Sequence, residues 1–156
     1  MRHARTRALA LTAVLLLCAP VLGAQAAQAP TKVAAAGTIS VISNVPDSVR
    51  QAGRTTITHA TAVVTFDGTL NGPATEIYQQ IEPPNGNVRQ QGKGFFDGTI
   101  ADRTGTLQYV FHGGATSGRI VITQGTAGLR GVRGTLSYAF DAATGVFTYD
   151  GTLRLK

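Results

Sequence analysis

Cysteine is almost absent from this chain, and the place of its single copy carries the consequence. Cys18 lies in an N-terminal stretch laid out like a secretory leader: Arg2, His3, Arg5 and Arg7, then an apolar run over residues 8–17, then small residues around Ala24-Gln25-Ala26. Cleavage after Ala26 leaves a chain without a thiol, which excludes disulfide staples and cysteine nucleophiles and leaves stability to packing. Lipidation of Cys18 is disfavoured because Leu15, Leu16 and Leu17 precede it where that modification needs a small residue. Long hydrophobic runs are also scarce. The run over 8–17 is about ten residues, against roughly twenty for a membrane-spanning helix, so no transmembrane anchor is expected after processing.

Concentrated charge of one sign is missing too. The net charge of +6 falls to +3 when Arg2, Arg5 and Arg7 leave with the leader. The remaining arginines and lysines are scattered among acids, which speaks against a nucleic-acid partner. Glutamate occurs only as Glu76 and Glu82, and the histidines beyond the leader are His59 and His112. Both histidines fall on the polar faces of expected strands with no carboxylate at ligand spacing, so hydrogen-bonded surface positions are expected and no metal. Ser117 has no Gly-x-Ser-x-Gly elbow around it. The glycine-rich stretch 125–134 is followed by no helical pattern, which removes a phosphate loop and any nucleotide cofactor.

What is present is β-structure. From Gly37 onward, β-branched and aromatic runs alternate with Gly, Asn and Asp at short intervals, and no amphipathic helix interrupts them. Leu107, Tyr109 and Phe111 oppose Thr106, Gln108, Val110 and His112. Leu136, Tyr138 and Phe140 oppose Thr135, Ser137 and Ala139, and Phe147, Tyr149, Leu153 and Leu155 oppose Thr148, Asp150, Thr152 and Arg154. Strands are expected at 38–42, 55–66, 69–81, 88–96, 105–113, 119–124, 134–141 and 147–155. Asp67-Gly68, Asn71-Gly72, Asn85-Gly86, Asp97-Gly98 and Gly113-Gly114 are expected as hairpin turns, or as bulges within long strands. About eight strands without open edges predict a single antiparallel up-and-down β-barrel, all-β, with a leader at 1–26, a flexible lead-in at 27–36 and the barrel at 37–156.

One phrase recurs at uneven spacing: Phe66-Asp67-Gly68-Thr69-Leu70, Phe96-Asp97-Gly98-Thr99-Ile100 and Tyr149-Asp150-Gly151-Thr152-Leu153. Each supplies one carboxylate, whereas calcium takes six to eight oxygens at one place, so a repeated hairpin solution is the better reading. From about Val64 onward the chain resembles bacterial proteins of unknown function with an allene oxide cyclase barrel-like fold, the superfamily of plant dirigent proteins. The resemblance is carried by 66–72 with Tyr78, by 98–106, by 113–122 and by the glycine-rich stretch 125–134. Members of that family carry a Glu-Arg pair where this chain has Gly94 and Phe95, so an activity that needs that acid does not transfer.

The candidate ligand-binding residues are Tyr78, Tyr109, Tyr138 and Tyr149, whose rings and hydroxyls suit one shared cavity, together with Glu76. A barrel of eight strands is either filled by side chains or holds one small ligand, and a filled interior is the first expectation. Glu76 shares strand parity with Tyr78, and the rim or the outside is its expected place. An inward position would raise its carboxyl pKa by burial and make it an acid. The first functional reading is a non-catalytic exported barrel, periplasmic or extracellular, that binds a small apolar or aromatic ligand. The second, implied by the resemblance, is a cyclase-like or dirigent-like protein acting without a cofactor on a reactive small molecule. The third is a self-associating structural or interaction protein, a homo-oligomer.

Overall fold

A sheet with one oily and one wet face hides the oily face by curling until its first and last strands pair. The computed structural model, which describes residues 29–156, shows that closure. The strands are β1 (Thr31–Ala52), β2 (Thr55–Gly68), β3 (Leu70–Glu82), β4 (Arg89–Ile100), β5 (Arg103–Gly113), β6 (Ser117–Gly125), β7 (Arg133–Asp141) and β8 (Val146–Leu155). Each pairs antiparallel with the next, and β8 pairs back onto β1, so chain order and barrel order coincide. A 3-10 turn at Ala127–Leu129 lies between β6 and β7. All eight expected strands are present. The leader expected at 1–26 lies outside the described residues.

β1 corrects two expectations. The flexible lead-in was drawn through residue 36, but residues 31–36 already belong to the strand that closes the barrel, with Thr31 opposite Leu155 and Ala36 opposite Asp150. Ala35 is buried there, opposite Gly151 of β8. At its other end β1 continues past Ile42 to Ala52, although Pro46 and Asp47 read as loop. Beyond Ile39 it pairs with β2 alone, with register shifts between Val41 and Ser43 and between Pro46 and Ser48. A strand edge free of a neighbour tolerates a proline and bulges.

Two of the places expected as turns or as irregularities within long strands are of the second kind. Asn71-Gly72 lies inside β3 and Asp97-Gly98 inside β4, where the ladder passes from Asn71 opposite Thr99 to Ala74 opposite Phe96. Asp67-Gly68 does end β2, and Asn85-Gly86 and Gly113-Gly114 lie in or open the β3–β4 and β5–β6 connections.

The interior is divided into unlike halves. At the end where β8 finishes, the recurring phrases meet: Phe66 contacts Phe96, Tyr149 and Tyr109 edge-on at 5.7, 5.7 and 5.9 Å between ring centres. Leu70, Ile100 and Leu153, the last residue of each phrase, are buried beside them. The glycine-rich stretch folds across this end, with the Leu129 and Val132 side chains wholly buried as a plug. Burial of a side chain of this size stabilises by about 1.5–3 kcal/mol. At the opposite end, the β1–β2, β3–β4, β5–β6 and β7–β8 connections surround an interior that is not filled. Phe140, expected inside with Leu136 and Tyr138, is 42% exposed there. Phe140 lies one residue beyond the last β6–β7 pair, Ser117 with Ala139, and its ring rests against Phe147 at 5.2 Å on the rim.

Candidate functional site

The unfilled end encloses a cavity of about 150 Å³ that opens to solvent. Its walls come from all eight strands, and the β5–β6 connection adds Ala115. Most of the lining is apolar, with Ile39, Val64, Phe111, Ile120 and Phe147 prominent, and the polar groups are Asn44, Glu76, Tyr78, Gln90 and Tyr138.

Glu76 is the centre of this set, and its position corrects the expectation of a rim or outer place. The β2–β3 register sets it: Val64 lies opposite Ala74, Ala62 opposite Glu76 and Ala60 opposite Tyr78, so the buried side of β2 and the even-numbered side chains of β3 share the interior. The odd-numbered Ile77 is consequently turned outward and is 47% exposed. Glu76 is flanked in the sheet by Ala62 on β2 and Gly94 on β4, two cross-strand neighbours with little or no side chain. The resemblance left position 94 without an acid, and the structure puts one directly across the ladder from it.

Tyr109 on β5 holds the carboxyl, its hydroxyl donating to Glu76 Oε1 at 2.7 Å. The ring reaches that place because residue 94 has no side chain, since a Cβ there would collide with it. Burial raises the Glu76 pKa above the ordinary carboxylate value, and the Tyr109 hydroxyl draws it partly back. Burial also pushes the Tyr109 phenol well up, and the neighbouring negative charge of Glu76 adds to the shift. Tyr138 is raised by burial and, second, by the same charge. The arrangement is therefore a carboxyl group held on one oxygen, with tyrosines around it that stay protonated.

Of the five residues read from the sequence, Glu76, Tyr78 and Tyr138 line the cavity, and Tyr109 lies at its base through the bond to Glu76. Tyr149 belongs to the packed half. Its hydroxyl accepts from Leu70 N at 2.9 Å and donates to the Leu70 carbonyl at 3.3 Å, which fastens the turn between β2 and β3. Tyr78 donates to Asn44 Oδ1 at 3.0 Å, tying the cavity mouth to the long β1 strand. Gln90 donates to Gln80 at 2.8 Å across β3 and β4. Asn44, Gln90 and Ala115 were not singled out in the sequence, and Phe111 and Phe147 were read only as apolar-face residues. One signal was present in β3, where the isoleucine and the polar residues stand on the faces opposite to those of its neighbours.

The histidines lie on the outer wall, as their polar strand faces implied. His59, Gln79, Gln91 and His112 are successive cross-strand neighbours on β2 to β5, and a Gln79 Nε2 to His59 Nε2 contact spans 3.3 Å. Among the described residues no three His, Cys, Asp or Glu side chains gather as metal ligands would.

The fold has solved counterparts. A crystal structure of a DUF3224-family protein of unknown function from Shewanella oneidensis MR-1 matches with a TM-score of 0.68 at 18% identity, over 81% of this chain and 98% of that one. A pterocarpan synthase dirigent protein matches with a TM-score of 0.54 at 19% identity, over 93% of this chain and 99% of that one. At such identities the likeness is one of fold. No curated protein matches the sequence. The model of the family described as "Protein of unknown function (DUF3224)" matches residues 35–151, which takes in all of β2 to β7 and most of β1 and β8. The chain therefore belongs to the DUF3224 family, and its barrel is of the dirigent-like kind.

Proposed function

We propose that this protein is an exported, non-catalytic barrel that binds one small apolar or aromatic molecule in the cavity at the Glu76 end. Export rests on the leader pattern over residues 1–26. The observation that carries binding is the cavity itself: an opening walled by aliphatic and aromatic side chains, with a few polar groups among them. Its volume of about 150 Å³ suits a molecule built on a single ring or a short chain. The polar groups fix orientation, and the apolar walls supply most of the affinity through surface removed from water.

The test is a thermal-shift and calorimetry panel of single-ring compounds against the purified protein and its Ala62→Leu variant. Ala62 is buried on β2 beside Glu76, so a leucine there grows into the cavity. The wild-type protein is expected to gain thermal stability with at least one class of compound, and the filled variant to gain none while unfolding cooperatively. Equal responses of the two proteins would show that the compounds bind elsewhere.

A further inference from the structure

The charge distribution around the cavity is one-sided. Among the described residues, Glu76 is the one carboxylate that lines it, and no lysine, arginine or histidine does. The carboxyl has one protein donor, Tyr109, and that donor reaches Oε1. No buried side-chain oxygen among the described residues lacks a partner, so Oε2 keeps surface open to the cavity. Two pairs of aromatic rings face the same space, Tyr78 with Phe111 at 6.1 Å and Tyr138 with Phe147 at 5.8 Å between centres.

Each of these features selects for charge of one sign. An aromatic ring face is electron-rich and attracts a cation within about 6 Å, more strongly where water is excluded. A half-buried carboxylate with one hydrogen bond is under-compensated, and a cation placed on its free oxygen offsets the lost hydration. An anionic ligand meets the opposite situation, because nothing in the lining neutralises it.

We propose that the cavity recognises a small apolar monoamine, its ammonium group on Glu76 Oε2 and its hydrocarbon body among the rings of Tyr78, Phe111, Tyr138 and Phe147. This rests on the reading of the cavity as a small-molecule site and adds the charge of the ligand to it. Binding then carries a pH signature, because the ammonium needs the ionised carboxylate. The titratable groups facing Glu76 are Tyr109 from β5, Tyr138 from β7 and Tyr78 from its own strand, and the other strands give the lining no ionisable side chain. Affinity for the amine rises as pH climbs through the Glu76 titration and levels off above it.

The experiment uses three probes of nearly equal size, benzylamine, benzyl alcohol and benzoate, titrated calorimetrically into the purified protein at about pH 4 and about pH 7. Near neutrality benzylamine is expected to bind roughly tenfold more tightly than benzyl alcohol and benzoate not to bind, with the amine's advantage lost at the acid end. Glu76→Gln, nearly isosteric, is expected to cost the amine roughly tenfold in affinity and so to remove its preference over benzyl alcohol, while the Ala62→Leu variant binds neither. Equal binding of amine and alcohol, or an amine affinity indifferent to Glu76→Gln, overturns the charge assignment and leaves the cavity as a neutral pocket. Failure of all three probes to bind the wild-type protein overturns the assignment together with the small-molecule reading.

Discussion

Phe66 and Phe111 both point into the barrel, yet they have different surroundings. Phe66 is met by the rings of Phe96, Tyr109 and Tyr149 and is sealed below by the plug around Leu129. Phe111 has Tyr78 beside it and otherwise faces the cavity. The same eight strands thus make a solid half and a hollow half. The difference lies in which residues reach the axis. In the solid half every inward position of the recurring phrases carries an aromatic, an aliphatic or a glycine that lets a ring lie across it. In the hollow half the inward positions of β2 and β3 carry Ala62, Glu76 and Tyr78, and the polar tips hold one another away from full collapse. One half is built for stability and the other keeps space at the expense of packing.

This contrast can be broken or sharpened by substitution. The largest effect is expected for Phe66→Ala, which should lower stability by about 3–5 kcal/mol in urea denaturation, while Phe111→Ala costs roughly half as much because its ring already borders empty space. Equal losses would mean that the two halves pack alike. Leu129→Ala should follow, at about 2–4 kcal/mol by the same measurement, since it removes the plug from the solid end.

Tyr109→Phe should cost about 1–2 kcal/mol, because it takes the donor from a half-buried carboxyl. Carbon-detected NMR of Glu76 should then show its pKa moving further up, as the group that lowers it is gone. A smaller effect with a definite sign is expected for Glu76→Gln. The folded protein holds the Glu76 proton more tightly than the unfolded chain, so this group's contribution to stability is complete below its ordinary value of 4.5 and is lost as pH rises through the folded value. Urea midpoints should therefore coincide most closely for wild type and Glu76→Gln at the acid end and separate towards neutrality, with the variant the more stable.

The smallest effect belongs to the rim. Asp141 accepts hydrogen bonds from Ala143 N at 2.9 Å and from the Thr144 hydroxyl at 3.0 Å in the β7–β8 turn. The backbone bond from Ala143 is the larger cause of its lowered pKa, followed by the bond from Thr144. Its contribution is present above the unfolded value of 3.8 and disappears as pH falls through the folded one, the reverse of Glu76. Asp141→Asn is expected to shift the neutral-pH unfolding temperature only slightly and the acid-pH value not at all.

Much of the solid half could be read in advance. Leu107 and Tyr109 in β5 and Tyr149, Leu153 and Leu155 in β8 are buried as their period-two spacing implies. The hollow half was harder. In β3 the alternation is inverted, with Ile77 outside and Glu76 inside, so a rule that sends isoleucine inward misplaces the carboxylate. The length of β1 was hidden for a related reason. Alanines at 34–36 and the proline and aspartate at 46 and 47 fit a strand only once a neighbouring strand supplies its partners.

Local preference was thus enough to establish strands, their number and the polar faces bearing the histidines, because a period of two expresses contacts between each residue and its nearest neighbours. It was not enough to say where the interior stays open. That depends on the β2–β3 and β3–β4 registers, which set Ala62 and Gly94 on either side of Glu76, and on a tyrosine reaching over from β5. Such a meeting of residues from four strands is a property of how the sheet closes, and closure is a long-range fact that no stretch of chain contains.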